Sequence, residues 1–456
     1  MTFFHLCKET YRTTQLAVPL ITSLIIQLVI EIINTIMLGK LGKDELAAGS
    51  LGLAILFFLI VIGIGLCSAI GILIARHFGG DEYDNIKVIL NQSIYFMGLF
   101  ILPCLIVLWN LPSFLTWMGQ EPAIVKLTSQ FLHALMWGVP PLLMYFVLRE
   151  FVSALSHTKI IMLLSLIMAP FTALGNYILI YGKWGFPELG IAGIGYSTSL
   201  MQWLLLLIMI MFIYKNKLLN KYFITFPLQS IKWPIWKEII RIGWPVSITM
   251  GLEVGLFSIT TLMMGYFGAD ALAAHQIALQ CASFIFMFPL GISQATAIRV
   301  SQGLGQKSIQ NAKLAGLSGL MSGAIFAIIT ALLFLKFTTF WISLFIDMSQ
   351  ANHNVLIKLA INFLHVFVFF QIFDALQVIM NGALRGLKDT FIPMWLGLLS
   401  YWIIGVTSGY YFAFILHWNG TGLWWGLAAG ISVSGIVLLA RFLIKIKQLE
   451  IHARTV

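Results

Sequence analysis

Residues 39–79 read GKLGKDELAAGSLGLAILFFLIVIGIGLCSAIGILIARHFG, and residues 265–305 read GYFGADALAAHQIALQCASFIFMFPLGISQATAIRVSQGLG. Laid over each other without a gap, at an offset of 226, they agree at 12 of 41 positions. The best stretch pairs Gly42-Lys43-Asp44-Glu45-Leu46-Ala47-Ala48 with Gly268-Ala269-Asp270-Ala271-Leu272-Ala273-Ala274. In the first copy a short polar break, GKLGKDE, opens into an apolar run of the length that a ~30 Å hydrocarbon core asks of a helix. Self-similarity at this distance marks an internal duplication.

The pattern extends both ways. The offset of 226 also pairs Pro19 with Pro245, Thr35 with Thr261, Met37 with Met263 and Gly65 with Gly291. Further on, an offset of 232 pairs Thr158 with Thr390, Met162 with Met394 and Gly190 with Gly422. Apolar runs recur from one near 16–38 to one near 423–446, and we count twelve. Of the 456 residues, 60% are hydrophobic and 10% charged, against roughly 25% charged in soluble domains. Backbone in lipid satisfies itself only as helices or closed barrels, and these runs are too long and too uniformly apolar for barrel strands. The sequence predicts an all-α integral membrane protein of twelve transmembrane helices in two parallel six-helix repeats around a central cleft. The expected halves are 1–214 and 242–456, joined by a basic cytoplasmic linker over 215–241. An even number of spans per half gives both repeats the same orientation, related by an axis along the membrane normal.

The net charge of +10 would also suit nucleic acid, so its distribution decides. With loops counted alternately, only Lys40, Lys43, Lys126, Lys183, Lys336 and Lys358 of the 27 Lys and Arg fall on one side. The rest share the other side with both termini, a positive-inside pattern that places both termini in the cytoplasm. Nucleic acid is therefore not an expected partner; the lipid bilayer is. Lys8, Glu9 and Arg12 precede the first run, which is read as helix one and not as a removed signal peptide. Cys7, Cys67, Cys104 and Cys281 show no metal or disulfide spacing. HExxH and GxxxxGK[ST] are absent, which speaks against an intramembrane metalloenzyme and direct use of ATP. No enzyme and no cofactor are expected.

Seventeen acids remain to be sorted by depth, and only Glu31, Glu253 and Asp374 sit well inside apolar runs. A carboxylate at a helix centre costs about 2.5–3.5 kcal/mol on insertion scales, so each is a functional candidate. Glu253 follows Arg241 by twelve residues and Asp374 precedes Arg385 by eleven. At 1.5 Å per residue both lie roughly 16–18 Å from the cytoplasmic edge, at one depth in one half. Burial and mutual repulsion disfavour two bare carboxylates and favour proton uptake or a bound hard cation such as Na⁺. The alternative is a purely structural hydrogen-bonded pair. Gln27 is the repeat counterpart of Glu253, so only one half carries the acid there.

Longer motifs carry a resemblance. GWPVSITMGLEVGLFSITTLMMGYFGADALAAHQIALQCASFIFMFPLGISQATAIRVSQGLG (243–305) resembles the seventh and eighth helices of multidrug and toxic compound extrusion (MATE) transporters of the NorM type. FFQIFDALQVIMNGALRGLKDT (369–390) is similar to the family's tenth helix, and IYGKWGFPELGIAGIGYST (180–198) to its counterpart around helices five and six. The resemblance implies a monomeric antiporter of a bacterial inner membrane that expels small organic, often cationic or amphipathic, compounds against inward Na⁺ or H⁺ (the coupling ion). It points to Glu253 and Asp374 as a cation site, with Na⁺ as the metal if sodium drives it. Where many relatives carry an Asp on helix one, this chain has Asn34, which does not titrate; Glu31, one turn away, is the candidate substitute, the alternative being an interhelical hydrogen-bond partner. Thr172 stands where NorM relatives tend to have Asn, four residues before Asn176, and Phe370 where a Tyr is common.

Gln377, one turn beyond Asp374, is placed to orient that carboxylate. Gln27, His275, Gln276, Gln280 and Phe288 are candidates for lining the substrate cleft, against a plain packing role for the histidine and for the stripe Phe284, Phe286, Met287 and Phe288. The rival transporter reading is a lipid-linked saccharide flippase of a related branch, which would need several Arg or Lys in the cleft; no basic residue is read as mid-span here.

Overall fold

The computed structural model describes residues 3–222, 230–348 and 353–455. Among them are the twelve helices that the apolar runs predict: α1 (Phe4–Leu41), α2 (Lys43–Gly79), α3 (Tyr83–Trp117), α4 (Pro122–Ala154), α5 (Lys159–Tyr181), α6 (Ile191–Lys215), α7 (Trp233–Phe267), α8 (Ala269–Gly305), α9 (Ile309–Lys336), α10 (Asn354–Gly386), α11 (Phe391–Ile415) and α12 (Asn419–Ala453). Residues 223–229 of the basic segment lie outside the described residues.

Several helices outrun the bilayer core. The 37 residues of α2 rise about 55 Å at 1.5 Å each, so its ends reach water. Its acids Asp44 and Glu45 stand in the first turn and Arg76 and His77 in the last, matching the helix dipole. Large apolar side chains such as Ile106, Leu332 and Ile403 are exposed along the helices, a surface suited to lipid as solvent. Exposed Trp117, Trp184 and Tyr266 stand at or just beyond helix ends, where headgroups favour amphipathic rings.

Packing divides the chain into two compact units, one of Thr22–Ser247 and one of Met1–Ile21 with Ile248–Val456. Helices α1 and α7 each contribute to both, up to Ile21 and up to Ser247, positions that the offset of 226 makes equivalent. In the N-terminal unit α6 packs against both α4 and α5, and α2 against α4. In the C-terminal unit α8 and α10 form the centre, flanked by α9 and α12.

Helix α1 begins well before its apolar run near 16–38, because its polar first turns are docked. Arg299 Nε and Nη2 donate to the two Glu9 carboxylate oxygens at 2.7 and 2.8 Å. Thr13 and Ser318 hydroxyls meet at 2.9 Å, and Gly291 admits Ile21, whose backbone N lies 3.0 Å from where a Cβ would be. At the start of α8, Gly268 has φ +96°, a conformation that disfavours any side chain.

Candidate functional site

The C-terminal unit brings Glu253 of α7 and Asp374 of α10 onto one glutamine. Gln377 Nε2 donates to Glu253 Oε1 at 2.9 Å and more weakly to Asp374 Oδ1 at 3.5 Å. Gln377 Oε1 accepts from the Tyr401 hydroxyl and from Ser434 Oγ at 3.2 Å. Both amide hydrogens and both carbonyl lone pairs are thus used, the full capacity of the side chain. The amide orientation suits ionised acids: a carboxylate only accepts, so the nitrogen faces the acids and the carbonyl the hydroxyls. Asp374, Gln377, Tyr401 and Ser434 are buried, and Glu253 is half-buried.

Among the described residues neither carboxylate makes an ion pair. Two acids close together, one of them fully buried, met by one neutral amide donor leave negative charge uncompensated. Such a pair favours taking up positive charge, as a proton or as a cation suited to oxygen ligands.

The other predicted residues of this unit divide. Phe370 is buried and packs on Phe367 and Trp424, with ring centroids 5.5 and 5.9 Å apart. His275 is buried too, its Nε2 3.0 Å from Thr261 Oγ1 and its ring edge-on to Trp424. Gln276 and Gln280 are exposed instead, so the three polar residues of α8 do not share one environment. Phe288 stacks on Phe326 at 4.2 Å, within the packing of its own unit.

In the N-terminal unit, Gln27, Glu31, Asn34 and Thr172 line one cavity of about 250 Å³. Asn176 Nδ2 donates to Asn34 Oδ1 at 2.6 Å, a neutral amide pair. Thr172 turns its hydroxyl back to the Met168 carbonyl at 2.9 Å. Met168, Met201, Tyr145, Gln202 and Arg149 share the lining.

Sequence reasoning passed over Tyr401, Ser434 and Arg149. For the first two a signal exists: GVTSG (405–409) and GLAAG (426–430) are both GxxxG, a spacing that lets membrane helices touch. Arg149 stands five residues from the end of α4 and reads as a helix-end charge.

The sequence model of the MatE family matches residues 19–178 and 245–411. A Synechococcus protein named probable multidrug resistance protein NorM is 34% identical over 95% of this chain and 94% of its own length. A Mesorhizobium japonicum protein of the same name is 34% identical over 96% and 94%. In fold, a variant of the Vibrio cholerae MATE transporter VcmN superposes with a TM-score of 0.89 over 98% of each chain at 15% identity. A eukaryotic MATE transporter gives 0.84 over 99% of each at 20% identity. This chain, a multi-pass membrane protein and not an enzyme, therefore belongs to the MATE family of transporters.

Proposed function

We propose that the protein is a secondary antiporter that exports organic, often cationic, compounds in exchange for Na⁺ or H⁺ by alternating access. Glu253 and Asp374 are the coupling site, and the transporter works as a monomer in a bacterial inner membrane with both termini cytoplasmic. The observation that carries this reading is the pair of carboxylates that, among the described residues, share a single neutral donor and no basic partner. A site of that charge takes a cation from whichever side it faces. The names of the NorM relatives, which speak of multidrug resistance, support export of drug-like compounds.

The flippase reading draws on one observation, Arg149 in the lining of the N-terminal cavity. One arginine in a cavity that the acid Glu31 also lines is a poor cradle for a pyrophosphate, so the antiporter reading stands ahead.

The test is efflux of ethidium from proteoliposomes under an imposed Na⁺ or proton gradient, for wild type, Glu253→Gln and Asp374→Asn. Wild type is expected to respond to one of the gradients and both variants to lose that response. A wild type indifferent to both gradients overturns the antiporter reading. Variants that still couple overturn the site.

A further inference from the structure

Gln377 Nε2 stands against both carboxylates, where a cation would serve them. An amide N–H carries only a partial positive charge, so it braces the two acids without neutralising them. Three features hold the amide in that orientation.

The first is the seam between α11 and α12. A Cβ on Gly426 would come 2.2 Å from Gly409 Cα, and one on Gly430 would come 2.8 Å from Gly405 Cα. These antiparallel backbones therefore touch, through two GxxxG stretches. Tyr401 lies one turn before Gly405 and Ser434 one turn after Gly430, so close contact brings both hydroxyls to the same level. The second is the backbone of α11, which widens to π-helical turns over Leu399–Val406. That stretch carries Tyr401, and such widened turns recur at functional sites. The third is burial: Gln377, Tyr401 and Ser434 are all fully enclosed, and within this network the carbonyl of Gln377 is held by these two hydroxyls.

We propose that Gln377 is a positioning residue for cation coupling. Its Nε2 stands in for Na⁺ in the cation-free protein and is displaced when Na⁺ binds, and Tyr401 and Ser434 set how readily it leaves. This rests on the reading that Glu253 and Asp374 take the coupling cation. An N–H does not ligate Na⁺, so on binding the amide withdraws or turns its carbonyl to the ion. Either movement breaks the hydrogen bonds from Tyr401 and Ser434. Those hydroxyls therefore favour the cation-free arrangement and promote release of the ion. Their removal is expected to tighten Na⁺ binding.

The experiment is an Na⁺ concentration series at fixed pH in proteoliposomes, with ethidium as the exported probe. It compares wild type, Tyr401→Phe, Ser434→Ala, Ser434→Thr and Glu253→Gln. Loss of each hydroxyl should lower the half-saturating Na⁺ concentration by about three- to tenfold, with the half-saturating ethidium concentration unmoved. Ser434→Thr, which keeps a hydroxyl, should match wild type. An unchanged half-saturating Na⁺ concentration in Tyr401→Phe and Ser434→Ala overturns the proposal, and so does a parallel shift for Na⁺ and ethidium, the mark of a merely structural network. Radioactive Na⁺ binding to detergent-purified protein reads the same shift where a variant transports poorly. Glu253→Gln separates the two failures. If it still couples to Na⁺, the carboxylate reading falls and this proposal with it. If it is uncoupled while the hydroxyl variants are unmoved, only the role of Gln377 falls.

Discussion

The two halves of the repeat treat charge differently at corresponding depths. Glu253 in the C-terminal unit is answered in the N-terminal half by Gln27. Where Glu253 and Asp374 share Gln377, Asn34 and Asn176 pair as neutral amides at 2.6 Å. The one acid of the N-terminal set, Glu31, lines with Asn34 a cavity of about 250 Å³ whose mostly apolar walls also carry Gln27, Gln202 and Arg149. The two copies share their helices, and the paired acids stand in one of them. On the proposed reading, the network around Gln377, Tyr401 and Ser434 serves a small ion. The cavity has room for something bulkier.

The sharpest way to break this asymmetry is to neutralise each acid in turn. Glu253→Gln or Asp374→Asn should reduce gradient-driven ethidium efflux about tenfold or more, the scale of a lost charge-assisted contact. A milder loss than that from Glu31→Gln would reverse the comparison. Gly426→Val comes next. Its Cβ would meet Gly409 Cα, which cannot rotate away, so the α11–α12 seam should open at a cost of about 3 kcal/mol. Thermal melting in detergent should show that loss, and the half-saturating Na⁺ concentration should fall with it, since Tyr401 and Ser434 leave Gln377. An unmoved melting temperature would show that the seam yields.

Smaller effects sharpen the N-terminal side. Asn176→Ala removes a buried amide hydrogen bond and should cost about 1 kcal/mol in the same melt, with efflux within threefold of wild type. Efflux lost as in Glu253→Gln would make the neutral pair a coupling element. Smallest of all, Glu31→Gln should raise the half-saturating concentration of cationic ethidium by about fivefold, one partly screened charge. It should leave that of the driving ion unchanged. A shift in the driving ion instead would identify Glu31 as the substitute for the acid missing at Asn34.

The fold was legible because its signals are local or periodic. Apolar length marked twelve spans, and the offset of 226 marked the duplication. Counting residues from Arg241 and Arg385 set Glu253 and Asp374 at one depth, and the structure joins them through Gln377. Depth along a helix is countable; rotation about its axis is not. In water an apolar stripe reveals the buried face of a helix, but α8, α10 and α12 are apolar nearly all round, since lipid and protein interior ask for the same residues. Hence His275, Gln276 and Gln280 read as one polar group, and the structure separates a buried histidine from two exposed glutamines.

The sequence alone determined that this chain crosses the membrane twelve times, that it was duplicated, and which acids lie deep. Each of these depends on composition and spacing along one dimension. Only the tertiary structure decided that the polar first turns of α1 are helical, held by Arg299 and Ser318, and that Arg149 turns into a cavity. It alone brought Tyr401 and Ser434 to Gln377. These facts depend on which faces of distant helices meet, and in a uniformly apolar chain close contact through glycines and a few buried hydrogen bonds chooses those faces.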